Sequence, residues 1–99
     1  MNKRLNNIES ILTKEIKKKG IKIEEIFKYG DKKIEFMLLY SDFVISVSVV
    51  DDMSYDFTVF DSTGDTIVYN NTQFNVALDD LCDILLKDID MIKNKRLYS

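Results

Sequence analysis

Apolar side chains recur at intervals of three and four positions in the first part of the chain. Residues 3–19 would therefore form a helix with one apolar side, ending in Lys17, Lys18 and Lys19, whose charge suits the helix dipole. Gly20 follows, and glycine readily adopts the left-handed conformation of a helix C-cap. The apolar positions are Leu5, Ile8, Ile11, Leu12 and Ile16. This pattern predicts an amphipathic N-terminal helix.

From Ile21 to Asn70 the pattern changes to an alternation of apolar and polar positions. A period of two is typical of strands that bury one face of a sheet. The connections between these strands are too short for parallel crossovers, so we expect an antiparallel meander. The expected strands are residues 22–29, 34–40, 43–50, 55–60 and a short fifth strand at 66–69.

Two positions predict departures from a regular sheet. Glu25 falls where Ile23 and Phe27 would face the core, which indicates a β-bulge or a short helical turn. Gly30 and Asp31 form a two-residue hairpin signal that fits a type II′ turn. We therefore expect an irregular first strand that leads through a tight hairpin into the second.

Helical spacing returns at the end of the chain. Thr72 is expected to act as the N-cap, the helix to end near Lys93, and a frayed tail to follow from about residue 94. The expected apolar stripe is Phe74, Leu78, Leu81, Leu85, Ile89 and Ile92. Cys82 widens this stripe, which indicates a buried structural thiol rather than a nucleophile.

These elements predict an α+β fold. It consists of an N-terminal helix, a four- or five-stranded antiparallel meander sheet and a C-terminal helix. Both helices are expected on one sheet face, which gives a two-layer sandwich. The chain has 99 residues, no proline and only three glycines. It therefore fits a single domain over 1–99, with no linker.

Charge is segregated along the chain, although the formal net charge is only −3. Residues 1–40 contain ten Lys and Arg against six Asp and Glu, for a net charge of +4. Residues 41–90 contain eleven Asp, no Glu and one Lys, for a net charge of −10, and the last nine residues add +3. We expect an acidic lobe whose potential would steer a basic partner.

The candidate partner-binding carboxylates come from one hairpin tip and from the polar side of the closing helix. They are Asp51, Asp52 and Asp56 at the tip, and Asp79, Asp80, Asp83 and Asp90 on the helix. A purely structural interpretation remains open, because Asp is common in turns and is favourable near a helix N-terminus. That interpretation leaves the near-absence of Lys and Arg over fifty residues unexplained.

The residue types that most enzymes need are scarce. The chain has no histidine and a single cysteine, which excludes serine triads, cysteine–histidine dyads and ordinary zinc sites. The segment from Asp61 to Asp65 lacks the alternating ligands and terminal Glu of a calcium loop. Paired carboxylates at Asp51–Asp52 or at Asp61 and Asp65 are the remaining catalytic option. The sequence therefore predicts a protein that is not an enzyme and binds no cofactor or metal.

The cellular location of the protein is also predicted from features that the sequence lacks. One cysteine, no signal-peptide pattern and no apolar run near the ~18 residues needed to span a bilayer predict a cytoplasmic protein without a membrane partner. Eight lysines between Lys14 and Lys33 could contact phosphates, but the acidic lobe would repel nucleic acid. We therefore expect no direct nucleic-acid binding, and a monomer or homodimer.

Two functional hypotheses fit these constraints, and a third treats the charge as incidental. The first is an acidic inhibitor or immunity-type protein that blocks the basic groove of a nuclease or nucleic-acid-handling protein. Phage and mobile-element DNA mimics, anti-CRISPR proteins among them, act in this way. The alternative is a small acidic oligomeric chaperone or adaptor that binds a peptide or partner through the apolar part of the second sheet face, at Leu39, Val44 and Phe60.

Overall fold

The computed structural model describes residues 3–94, which form two helices and one five-stranded sheet. This confirms the predicted α+β architecture and its order along the chain. Residues 95–99 of the expected frayed tail lie outside the described residues. The elements are α1 Lys3–Lys18, β1 Lys22–Tyr29, β2 Lys33–Tyr40, β3 Phe43–Val50, β4 Tyr55–Phe60, β5 Ile67–Gln73 and α2 Leu78–Lys93.

The sheet is the predicted antiparallel meander, with strand order β1-β2-β3-β4-β5. Its register aligns the apolar positions of successive strands on one face. Phe36 lies opposite Val47, and Val47 lies opposite Phe57. All three are fully buried. The alternation read from the sequence therefore identifies the core face of the three central strands.

Both helices contribute to the same core as this sheet face. The α1 residues Leu5, Ile8, Leu12 and Ile16 are buried, as are the α2 residues Leu81, Leu85, Ile89 and Ile92. A single shared core fits the predicted two-layer arrangement. No helix in the described part of the chain is long and apolar enough to cross a membrane.

The two helices run in the same direction along the sheet. At one end Arg4 of α1 reaches the β3–β4 turn, and the Val76 N–H just before α2 donates to the Met53 carbonyl of that turn over 3.0 Å. At the opposite end the Lys19 ammonium group, just after α1, bonds to Asp90 of α2. The N-termini of both helices therefore lie near the β3–β4 turn.

The predicted bulge in β1 is present and redirects the strand. The register with β2 shifts between Ile23 and Glu25. After the shift, Phe27 pairs with Glu35 on the outer sheet face, so the inward orientation expected of Phe27 is wrong. Lys28 takes the core side instead, and its ammonium group pairs with Glu9 of α1 over 2.8 Å. A charged residue at the edge of this face can still reach a carboxylate on the helix above it.

The β1–β2 connection also differs from the prediction. Tyr29 pairs with Lys33, so the connection has three residues rather than two. Gly30 has a φ of +59°, and the Lys32 N–H donates to the Tyr29 carbonyl over 3.2 Å. Glycine is still required for the left-handed conformation, but the turn is one residue longer than type II′ geometry allows.

The boundary between β5 and α2 corrects the predicted helix start. Thr72 belongs to β5, where it pairs with Asp56, and does not cap α2. Asn75 adopts a φ of +55°, a left-handed conformation that interrupts any helix running from Thr72. The N-cap is Ala77, which makes no side-chain capping hydrogen bond. As a result Phe74, expected in the buried stripe, lies outside the helix.

Candidate functional site

Three of the predicted partner-binding carboxylates lie together on the first two turns of α2, where they are exposed to solvent. Asp79, Asp80 and Asp83 are all exposed, and their spacing places them on the solvent side of the helix. Their carboxylates make no ion pair or hydrogen bond with another described residue. Asp79 and Asp80 also lie in the first turn, where the helix dipole favours negative charge. We call these three residues the acidic helix surface.

Leu78 lies directly beside this surface. It begins α2 and is 45% exposed, although the sequence predicted it to be part of the buried stripe. An exposed large apolar side chain next to carboxylates combines the two kinds of contact that protein interfaces use at their centre and rim.

Two of the predicted carboxylates are paired with cations of the same chain. Arg4 lies 3.8 Å from the Asp51 carboxylate and donates to the Asp51 carbonyl over 3.0 Å. Lys19 lies 3.3 Å from the Asp90 carboxylate. Both cations come from α1 or the residue just after it, so the basic N-terminal part of the chain partly neutralises the acidic part.

Asp52 is engaged within its own turn. Its Oδ1 atom accepts the Ser54 N–H over 2.9 Å. Hydrogen bonds from Ser54 lower the pKa of this exposed carboxyl group. Asp52 therefore shapes the β3–β4 turn and keeps its charge exposed near the start of α2.

Asp56 lies in β4 and faces the outer side of the sheet, where three polar side chains surround it. Thr72 and Asn70 donate to its Oδ1 atom over 2.6 and 3.0 Å, and Thr58 donates to Oδ2 over 2.8 Å. Partial burial would raise its pKa, but these bonds and the charge of Lys33 outweigh burial and lower it. The carboxylate is occupied by side chains of its own sheet.

The structure therefore divides the seven predicted carboxylates among several locations. The acidic helix surface and Asp52 lie at the same end of the molecule, because the residues before α2 contact the β3–β4 turn. Asp90 is eleven residues after Asp79, about 16 Å further along the helix. Asp56 occupies the opposite sheet face. Only the acidic helix surface, with Asp52 nearby, remains as a compact acidic site.

The alternative interface residues are brought together by the strand register. Leu39 lies opposite Val44, and Val44 lies opposite Phe60. The pairing of Phe60 with Ile67 extends this apolar row to β5. The three predicted residues are partly buried by their neighbours on the sheet. They form a narrow row rather than a broad apolar face.

A buried carboxylate that the sequence did not single out joins α2 to the sheet. Asp88 is 3% exposed. The hydroxyl groups of Tyr55 and Tyr69 donate to its Oδ2 and Oδ1 atoms, each over 2.7 Å. The Asn71 amide donates to Oδ2 over 3.0 Å. One signal was present in the sequence: Asp88 follows Leu81 by seven residues, which places it on the buried side of the helix.

This network changes the acid–base properties of both tyrosines. Burial, followed by the negative charge of Asp88, raises the pKa of Tyr55 well above its ordinary value. Burial and the hydrogen bond to Asp88 also raise the pKa of Tyr69. Both hydroxyl groups are therefore held protonated as donors, and the network is a structural tie between α2, β4 and β5.

The residues considered for metal binding or catalysis are engaged locally. The Oδ1 atom of Asp61 accepts the N–H groups of Thr63 and Asp65 over 3.2 and 3.3 Å, which closes the β4–β5 turn. Within residues 3–94, no group of three or more potential metal-ligating side chains is present. Cys82 is partly buried, and desolvation together with Glu15 and Asp83 raises its pKa, which disfavours the thiolate.

No known family model, curated protein or solved structure matches this chain. The roles of its residues therefore rest on the geometry of this chain.

Proposed function

We propose that this protein is a non-catalytic binding domain that uses the acidic helix surface to occupy a basic site on a protein partner. The single observation that carries the proposal is the presence of Asp79, Asp80 and Asp83 on two helical turns without an ion pair among the described residues. In contrast, Asp51 and Asp90 already have cationic partners in the same chain.

Carboxylates that have no ion pair within residues 3–94 and lie together on one helix suit the recognition of a basic groove. They raise the association rate with a cationic partner, and they gain new ion pairs without first breaking internal ones. Leu78 supplies an adjacent apolar contact that can be buried at the interface. The partner class that this chemistry favours is a nuclease or another nucleic-acid-handling protein, which this domain would block as an inhibitor or immunity protein.

The test is an affinity capture from host-cell lysate at low and high salt with two matched variants. Asp79→Lys/Asp83→Lys reverses two charges on the acidic helix surface. Asp42→Lys/Asp65→Lys makes the same change in net charge at exposed turns at the far end of the sheet. We expect a basic protein to be retained at low salt, released at high salt, lost with the first variant and kept with the second.

Three results would contradict the proposal. Equal loss of the partner with both variants would mean that net charge alone attracts it. Retention with the α2 variant would exclude the acidic helix surface as the binding site. Capture of no basic partner by the unmodified protein would remove the basis for the proposal. Circular dichroism of each variant would show that the fold is intact.

A second candidate function is a chaperone or adaptor that binds through the sheet face. The alignment of Leu39, Val44 and Phe60 in one row favours it. This candidate predicts capture that tolerates high salt and is weakened by Phe60→Ser, while Asp79→Lys/Asp83→Lys leaves it unchanged. The same capture experiment therefore distinguishes the two candidates.

A further inference from the structure

The two edges of the sheet differ in how they are protected against pairing with another strand. β1 carries four charged residues, Lys22, Glu24, Glu25 and Lys28, and it contains the bulge between Ile23 and Glu25. Charges and bulges are the devices that keep edge strands from associating. β5 has the sequence IVYNNTQ, without a charged residue or a proline. Its outer side has no strand neighbour in the described part of the chain.

The ends of β5 carry the two most exposed large apolar side chains of the described residues. Ile67 begins the strand and is 59% exposed, and Phe74 follows its last residue and is 73% exposed. They are separated by seven residues, or about 23 Å of extended chain. Large apolar side chains at both ends of an unprotected edge indicate a partner that covers the whole strand.

We propose that β5 pairs with β5 of a second copy of this chain, in antiparallel orientation about a two-fold axis. The unpaired backbone groups of an edge strand select another strand as their partner. Antiparallel pairing about this axis brings the end of one strand that begins with Ile67 to the end of the other strand that precedes Phe74, and the symmetry repeats this contact. The strand is therefore self-complementary, and the pair would form one ten-stranded sheet.

The charge near β5 is compatible with a second copy. The strand is uncharged, so pairing it with itself creates no repulsion between opposed side chains. Asp88 of α2 accepts hydrogen bonds from Tyr69 and Asn71 of β5, so the side of α2 that carries Asp88 lies next to β5. Ile84 is four residues before Asp88 and Met91 is three residues after it, so both lie on nearly the same side of the helix. Lys87 lies between them in sequence. This border of α2 is thus mixed and partly apolar, unlike the acidic helix surface.

The test is sedimentation velocity over a wide range of protein concentration. We expect a monomer–dimer equilibrium whose dimer Kd rises about tenfold or more in Phe74→Ser, because each dimer loses two buried phenyl groups. Phe74 is exposed in the monomer, so the variant is expected to fold. Ile11→Ser removes an exposed apolar side chain from α1 and serves as the matched control, with an unchanged dimer Kd.

Amide hydrogen exchange shows independently which edge strand forms the dimer contact. We expect the β5 amides to become more protected as dimer forms, while the β1 amides do not change. A protein that stays monomeric at all concentrations would overturn the proposal. So would a dimer that Phe74→Ser leaves intact or that protects β1 instead of β5. Neither outcome depends on whether the acidic helix surface binds a partner.

Discussion

The Tyr55 hydroxyl group donates a 2.7 Å hydrogen bond to the Asp88 carboxylate across the buried interface between β4 and α2. Both side chains are almost completely removed from solvent. A buried carboxylate is costly unless several donors compensate for its lost hydration. Tyr69 and Asn71 supply further donors, so the position of α2 on the sheet depends on this polar contact as well as on apolar packing.

Replacing Asp88 with alanine should destabilise the protein far more than the same change at a surface aspartate. Asp88→Ala leaves the buried Tyr55 hydroxyl group without its acceptor, and we expect the free energy of unfolding to fall by about 2–4 kcal/mol. Asp83→Ala on the solvent side of α2 should change it by less than about 0.5 kcal/mol. Urea denaturation measures both values. Similar values for the two variants would show that the buried network contributes little.

Alkaline pH should destabilise the folded protein through the same network of Tyr55, Tyr69 and Asp88. The pKa values of Tyr55 and Tyr69 are raised in the folded protein, so folding favours their protonated forms. The stability that this shift contributes is complete below the ordinary tyrosine pKa of about 10 and is lost progressively above it. Tyrosinate absorbance from these two residues should therefore appear together with unfolding.

Two single variants identify these tyrosines in the alkaline titration. Tyr55→Phe and Tyr69→Phe should each remove one tyrosine from the late phase of the absorbance change. An absorbance change that is complete before the circular dichroism signal is lost would contradict the prediction.

Acid should weaken the network around Asp56 on the outer sheet face. Its pKa is lowered in the folded protein, so its contribution is present above the ordinary value of about 4 and is lost as pH falls through the folded value. Asp56→Asn should therefore lower the thermal midpoint at neutral pH, and the difference from the unmodified protein should shrink in acid. Thr72→Val removes the shortest bond to Asp56 and should reduce this pH dependence. A difference that stays constant with pH would exclude the linkage.

The β2–β3 turn offers a stabilising substitution. Ser41 has a φ of +55°, a left-handed conformation that costs a non-glycine residue about 1 kcal/mol. Ser41→Gly should therefore raise the free energy of unfolding by a fraction of that value. Ser10→Gly makes the same chemical change at an exposed position inside α1, where it should destabilise by about 0.5 kcal/mol. Chemical denaturation of both variants would test the sign, and a loss of stability in Ser41→Gly would contradict the prediction.

The acidic surface illustrates how far a candidate site follows from sequence. The distribution of charge identified the carboxylates of residues 41–90 and placed Asp79, Asp80 and Asp83 on the polar side of a helix. It did not show that Asp51 is paired with Arg4 or Asp90 with Lys19. Those partners are 47 and 71 residues apart along the chain, so only the packing of α1 beside α2 and the β3–β4 turn brings them together.

The sequence by itself determined which residues of α1 and of the central strands face the core, because side-chain period follows directly from local backbone geometry. Ile11 is the exception, because it was expected to widen the apolar stripe of α1 and is 41% exposed. It also located the bulge in β1, where that period is broken. The tertiary structure alone decided the end of β5 and the start of α2, because Thr72 bonds to Asp56 in the adjacent strand and Asn75 takes a left-handed conformation. It likewise decided the hydrogen bonds of Asp88, whose donors come from β4 and β5, although the spacing from Leu81 already placed Asp88 on the buried side of α2. Hydrogen bonds between distant segments leave no periodic pattern in the chain, so they become visible only when the strands and helices are packed.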